Sequence, residues 1–128
     1  MIGIPKEVVL NDLNEVLSQA FQETGDFNVE NYCFLICPTL FHTLKIWLLD
    51  GNIKAGLTKF KGVEISLIKN TQYFYLKYSG YPFNPNYPKF PEIEPINNIV
   101  GVNLGYRIKR IEKIFAPTKT IKKYIQAD

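Results

Sequence analysis

Side-chain catalysis needs convergent polar groups, and this chain offers few. His42 is the only histidine. It falls beside Lys45 and Leu49, off the main stripe of the helix predicted around it, and nothing nearby in sequence completes a nucleophilic triad. An exposed or interface histidine is expected. Cys33, Cys37 and His42 are the candidate soft metal ligands. The spacing C-x3-C-x4-H matches no common zinc pattern, and no fourth soft ligand exists. On a strand the two cysteines would stand about 13 Å apart, beyond disulfide reach. They read as buried structural cysteines. No glycine loop matches a phosphate-binding pattern, since GVNLGY is followed neither by GK[ST] nor by a convincing helix. The carboxylates show no pair suited to glycosidase-type work. The expectation is a protein without a catalytic site, cofactor or metal.

The remaining chemistry is of the binding kind. Tyr73, Tyr75 and Lys77 share one strand face and could stack bases, as sheet-based RNA binders do. The hydrophobic balance of that strand favours a face buried beneath a helix instead. Charge is distributed unevenly. Residues 1–30 hold Glu7, Asp12, Glu15, Glu23, Asp26 and Glu30 against Lys6 alone. Residues 107–123 hold Arg107, Lys109, Arg110, Lys113, Lys119, Lys122 and Lys123 against Glu112 alone. The ends could be two solvated faces, complementary contacts between copies, or a basic end for nucleic acid. For the last, the candidate phosphate contacts are Arg107, Lys109, Arg110, Lys119, Lys122 and Lys123, with weak and non-specific binding expected.

The elements that position these residues are organised around residues 32–52, YCFLICPTLFHTLKIWLLDGN. Residues 32–37 form a short apolar run that fits a strand covered on both faces. Pro38 suits the first turn of a helix. Leu40, Phe41, Leu44, Trp47 and Leu48 then make one helical face, so Trp47 is predicted to be buried. Ile46 and Leu49 lie off that stripe, which leaves the helix apolar around more than half its girth and able to touch a partner. Asp50-Gly51-Asn52 supplies its exit.

Before this unit, residues 5–23 predict an amphipathic helix with Val9, Leu13, Val16, Leu17, Ala20 and Phe21 in one stripe. Thr24-Gly25-Asp26 ends it. After it, KAGLTKFKG reads as a loop or short irregular strand. Residues 62–69 alternate as a half-buried strand, residues 72–78 as a second, and together they predict a hairpin over 63–78. Strand 32–37, helix 39–50 and strand 63–68 make a βαβ unit.

Residues 79–98, SGYPFNPNYPKFPEIEPINN, carry prolines at 82, 85, 88 and 91, a period of three. Tyr81, Tyr87, Phe90 and Ile93 follow the same period. Polyproline II has three residues per turn, so one edge would be proline and the next largely aromatic. This predicts an ordered extended arm, packed on its own domain or on a neighbour. On the second reading Tyr81, Phe83, Tyr87 and Phe90, with Ile46 and Leu49 from the central helix, are the candidate interface residues. Residues 99–109 alternate cleanly and predict a long strand with Val100, Val102, Leu104, Tyr106 and Ile108 on one side. Pro117 then breaks the chain, and TIKKYIQ reads as one helical turn or a basic tail.

A family resemblance rests on LNDLNEVLSQAF, FLICPTLFHTLKIWLLD, KFKGVEISLIKN and QYFYLKY. Helix, buried strand with a Cys-Pro break, aromatic and leucine-rich helix, loop, glycine-led strand and hairpin follow in the order of the A-domain of tailed-phage major capsid proteins and the related encapsulin shells. VGVNLGYRIKRIEKIFAPTKTIKKY resembles their return strand and tail. The chain is much shorter than those proteins, without their N-terminal arm, extended loop or long spine helix. The resemblance implies a structural assembly protein of a phage or phage-derived particle, capsid-like or accessory, with no catalytic residues to carry over.

Length and composition bound the rest. At 128 residues, 46% apolar and 21% charged, with net charge +3, the chain predicts one domain with a single core. Its longest apolar run is far short of a membrane span. The opening MIGIPKEVV lacks a secretory pattern. The expected fold is α+β: a mixed sheet with a βαβ unit and hairpin, an N-terminal amphipathic helix, a proline-aromatic extended arm at 79–98, and a basic tail at 110–128. The expected partners are other copies or other particle proteins, in a virion or host cytoplasm. The alternative is a small binding module that meets nucleic acid or a host protein through its basic end or aromatic arm.

Overall fold

The computed structural model describes residues 5–49, 58–69, 73–84, 87–97, 101 and 103–117. Helix α1 (Lys6–Thr24) opens with the Pro5 carbonyl accepting from the amides of Val8 and Val9. Of its predicted stripe Val9, Leu13, Val16, Leu17 and Ala20 are buried, and Phe21 is half-buried against the core. Gly25 ends it in the left-handed conformation at φ 68°, its amide donating to Phe21 O. A β-carbon there would also stand 3.1 Å from that of Phe83, so glycine serves both the cap and the approach of the later chain.

A 3-10 turn (Val29–Asn31) leads into strand β1 (Tyr32–Ile36). Cys37 caps helix α2 (Pro38–Leu48), with Pro38 in its first turn, where a missing amide costs nothing. The exit predicted at 50–52 lies outside the described residues. Strands β2 (Lys59–Phe60) and β3 (Val63–Leu67) follow, then β4 (Phe74–Gly80) and, much later, β9 (Ile111–Phe115). These five make one sheet in the order β2-β3-β1-β4-β9. β1 runs parallel to β3 and antiparallel to β4. The fold is therefore α+β with a mixed sheet and a β1-α2-β3 unit.

The hairpin expected over 63–78 does not form. β3 and β4 lie on opposite sides of β1 and never meet. The hairpin is instead β2–β3, with Phe60 paired to Val63. Its two-residue turn puts Lys61 at φ 50° and Gly62 at φ 82°. Two successive positive-φ residues match the twist of the flanking strands.

One sheet face holds the core. Tyr32, Phe34 and Ile36 of β1, Phe74, Leu76 and Tyr78 of β4, Val63, Phe60 and Phe115 are buried with the α1 stripe and with Leu40 and Leu44 of α2. Phe34 is central, meeting Phe60 at 5.8 Å and Phe74 at 5.9 Å in near-perpendicular ring contacts. Trp47, expected to be buried, is half-buried at the margin of this core, and Leu48 is exposed. Only Leu40 and Leu44 of the α2 stripe reach full burial. The second face of β1, expected to be covered, leaves Cys33 and Leu35 half-buried.

Between β4 and β9 the chain builds two small ribbons in place of the polyproline helix. β5 (Phe83–Asn84) pairs with β6 (Tyr87–Pro91). β7 (Ile93–Asn97) pairs antiparallel with β8 (Asn103–Ile108). The prolines of β6 and β7 sit in strands with only one partner each, the setting in which a missing amide is tolerated.

Candidate interaction surface

The groups with the best chemical potential are in the core. Asp12, Tyr73 and Cys37 are 3%, 2% and 5% exposed, which shuts them off from any substrate. Burial drives the Tyr73 hydroxyl far above its ordinary pKa, and the neighbouring Asp12 carboxylate adds to the effect. Tyr73 precedes β4 and so parts company with Tyr75 and Lys77. A second polar set ties α1 to the sheet. Tyr78 donates to Asp26 Oδ2 at 2.8 Å, Asn31 Nδ2 donates to the same oxygen at 2.7 Å, and the Tyr32 hydroxyl donates to the Asp26 carbonyl at 2.7 Å. Thr24 Oγ1 lies 2.6 Å from the Tyr32 hydroxyl. Desolvation pushes Tyr32 up to about 12, the Thr24 contact lowers it and Asp26 raises it. Each polar atom here faces a partner, as buried polar groups must, and the set acts as a structural joint.

His42 is exposed on α2. Neither cysteine is in a disulfide, and Cys33 is half-buried on the open sheet face rather than in the core. Among the described residues no three His, Cys, Asp or Glu side chains gather at metal-binding range. No helix among them is long and apolar enough to cross a membrane.

The three basic candidates among the described residues, Arg107, Lys109 and Arg110, each have a partner within the chain. Arg107 Nε donates to Glu94 Oε1 at 2.7 Å, Lys109 Nζ stands 3.9 Å from Glu92 Oε2, and Arg110 Nη2 donates to Ser79 Oγ at 2.8 Å. Lys113 of β9 pairs with Glu23 at the end of α1, so part of the charge complementarity between the chain ends is spent inside one molecule. Lys119, Lys122 and Lys123 lie outside the described residues. The open sheet face offers Tyr75, Lys77 and Arg110, but Glu64 and Glu112 share it, which dilutes its positive potential.

The interface candidates divide. Tyr81, Phe90 and Ile46 are exposed. Phe83 packs under Gly25, and Leu49 packs against the core, so both serve the chain's own interior. The side chain of Tyr87 lies outside the described residues.

A different set makes a coherent surface. In the β7–β8 ribbon, Ile93 pairs with Ile108 and Pro95 with Tyr106. Directly paired residues of an antiparallel ladder point to the same side. These four therefore share one face, and Ile93, Tyr106 and Ile108 are 61%, 65% and 50% exposed. Glu94 pairs with Arg107 on the opposite face. Glu92 and Lys109, one step further along, join them there, held by Lys109 N donating to Glu92 O at 2.8 Å. Every charged side chain of the ribbon thus lies on one face, in mutual ion pairs, and the other face is apolar and open.

Comparison with protein families, curated proteins and solved structures returns no match. The ribbon must be judged on its own chemistry. Alternation in residues 99–109 identified β8 as a strand. Which of its two sides meets the core was left open, because alternation reports two unlike sides and not which of them is buried. The signal for the ribbon was the matching alternation in PEIEPIN, hidden by its prolines.

Proposed function

We propose that this protein is a non-catalytic assembly protein, acting by protein–protein association through the β7–β8 ribbon. One observation carries the reading: an uncharged face of Ile93, Pro95, Tyr106 and Ile108 stands open on a ribbon whose charges are neutralised on its other side. Contiguous exposed apolar surface rimmed by polar groups marks association sites. A two-stranded ribbon is also marginal in water unless something packs on it.

Within this reading a phage or phage-derived shell is the proposed setting, in a virion or host cytoplasm. Its support is the sequence pattern of α1, β1, α2 and the glycine-led β3. The β2–β3 hairpin sits one element earlier than that pattern places it. The second reading, nucleic-acid binding, is favoured by Tyr75 and Lys77 on the open sheet face, and opposed by the ion pairs that hold Arg107 and Lys109.

The test is size-exclusion chromatography with light scattering of extracts from the cells that naturally make the protein, at low and high salt. Association through apolar contact keeps the chain above its monomer mass of 14.8 kDa at both. A monomer under both conditions that binds oligonucleotide at physiological salt would overturn the reading in favour of the second.

A further inference from the structure

We infer that the occupant of the ribbon's apolar face is the same face of a second copy, the two ribbons stacking about a two-fold axis. The inference rests on the association reading above and names its partner.

The first argument is charge. Glu92, Glu94, Arg107 and Lys109 are all on the far side of the ribbon and paired with one another. The open face therefore gives a charged partner nothing to pair with, and any ion placed over it would lose its hydration without compensation. The complementary surface is another uncharged apolar one. A second copy carries it at equal concentration, and a two-fold contact satisfies both copies at once and closes.

The second argument is area. The Tyr106 ring, Ile93, Ile108 and Pro95 present roughly 400 Å² of apolar surface, given about 150–250 Å² for a fully exposed aromatic side chain. A standard interface takes about 800 Å² from each partner. The apolar patch would be about half of that, with the exposed Asn97 at its edge as part of a polar rim.

The third argument is the ribbon's own stability. Two strands alone do not hold an open apolar face in water. Stacked face to face, with the ordinary spacing of about 10 Å between packed sheets, two ribbons form a four-stranded, two-layer unit with a shared interior. The aromatic Tyr106 pair would dominate its energy.

The experiment is sedimentation equilibrium of the purified full chain over a concentration series, beside Tyr106→Lys and Tyr106→Glu. The wild type is expected at twice 14.8 kDa and each variant at the monomer mass. Thermal melts extrapolated to infinite dilution should agree among all three, since Tyr106 is outside the core. Because a two-fold axis sets the same patch against itself, an equimolar mixture of the Lys and Glu variants should recover dimer. A wild type that stays monomeric when pure overturns the inference, while particle-sized material in native extracts would leave the association reading standing. Variants that still dimerise, or a mixture that recovers nothing, overturn the ribbon geometry. If the variants also lose their folded baseline, Ile93→Ser replaces them with the same expected loss of dimer.

Discussion

The Tyr78 hydroxyl donates to Asp26 Oδ2 at 2.8 Å, joining the central region of the sheet to the turn that ends α1, across 52 positions of sequence. The carboxylate also accepts from the Asn28 amide at 2.9 Å and from Asn31 Nδ2. Tyr78→Phe removes one donor from this buried acceptor and should destabilise by about 1–3 kcal/mol. Asp26→Ala should cost more, because it strands the Tyr78 and Asn31 donors together. Urea unfolding with an unchanged m-value would check both. A neutral Asp26→Ala would show the joint to be dispensable.

Gly80 lies directly over this joint. A β-carbon there would come within 2.8 Å of the Tyr78 hydroxyl oxygen and 3.0 Å of Asn31 Nδ2. Both atoms are hydrogen-bonded, so neither can move without breaking a contact. Gly80→Ala is expected to lower stability by about 1–3 kcal/mol through overpacking, despite a favourable effect on chain entropy. If the hydroxyl is the cause, Gly80→Ala should cost less in the Tyr78→Phe background than in the wild type, as a double-mutant cycle would read.

Alkaline pH should unfold the protein through the same tyrosines. Desolvation holds Tyr32 protonated up to about 12, and Tyr73 and Tyr78 are raised further by burial beside carboxylates. In the unfolded chain these hydroxyls ionise near pH 10. A group whose folded pKa is raised contributes its full stability below the unfolded value and loses it as pH climbs toward the folded one. Stability should be flat to about pH 10 and then fall, with the Tyr32 contribution gone by about 12. Tyr32→Phe should start less stable but decline less steeply over that window, as read by circular dichroism in chemical denaturant.

Trp47 gives an optical check on the edge of the core. It is half-buried, so its emission should lie between that of a solvent-exposed and a fully buried indole. Trp47→Ala should cost less than the ~3–5 kcal/mol of a fully buried aromatic. A loss in that full range would mean that α2 is covered on its outer side in solution.

Two helices, the strand between them and the parallel crossover were legible because apolar spacing reports one buried side directly: Val9, Leu13, Val16 and Leu17 could serve little else. Strand order was not legible. The turn at Lys61-Gly62 asks a lysine to adopt positive φ, and β2 is two residues long, so neither left a recognisable signature. The face of Tyr75 and Lys77, expected to lie beneath a helix, is the open one, because β4 turns Phe74, Leu76 and Tyr78 to the core instead. Trp47 and Leu48 fell on the correct helical face but beyond the reach of the sheet. The ribbon was obscured because period-three proline and period-two alternation coexist in residues 79–98, and hydrogen-bonded pairing with β8 decides between them.

The position of β1 has a consequence during synthesis. It is the third strand of five, yet it is the first to leave the ribosome, and both of its neighbours are encoded later. At about 5–20 residues per second, several seconds pass before Val63–Leu67 and then Phe74–Gly80 arrive to flank it. During that interval Tyr32–Ile36 has two unpaired backbone edges and only helices for cover. The nascent chain is then most exposed to pairing with the wrong strand, including the same strand of a neighbouring nascent chain.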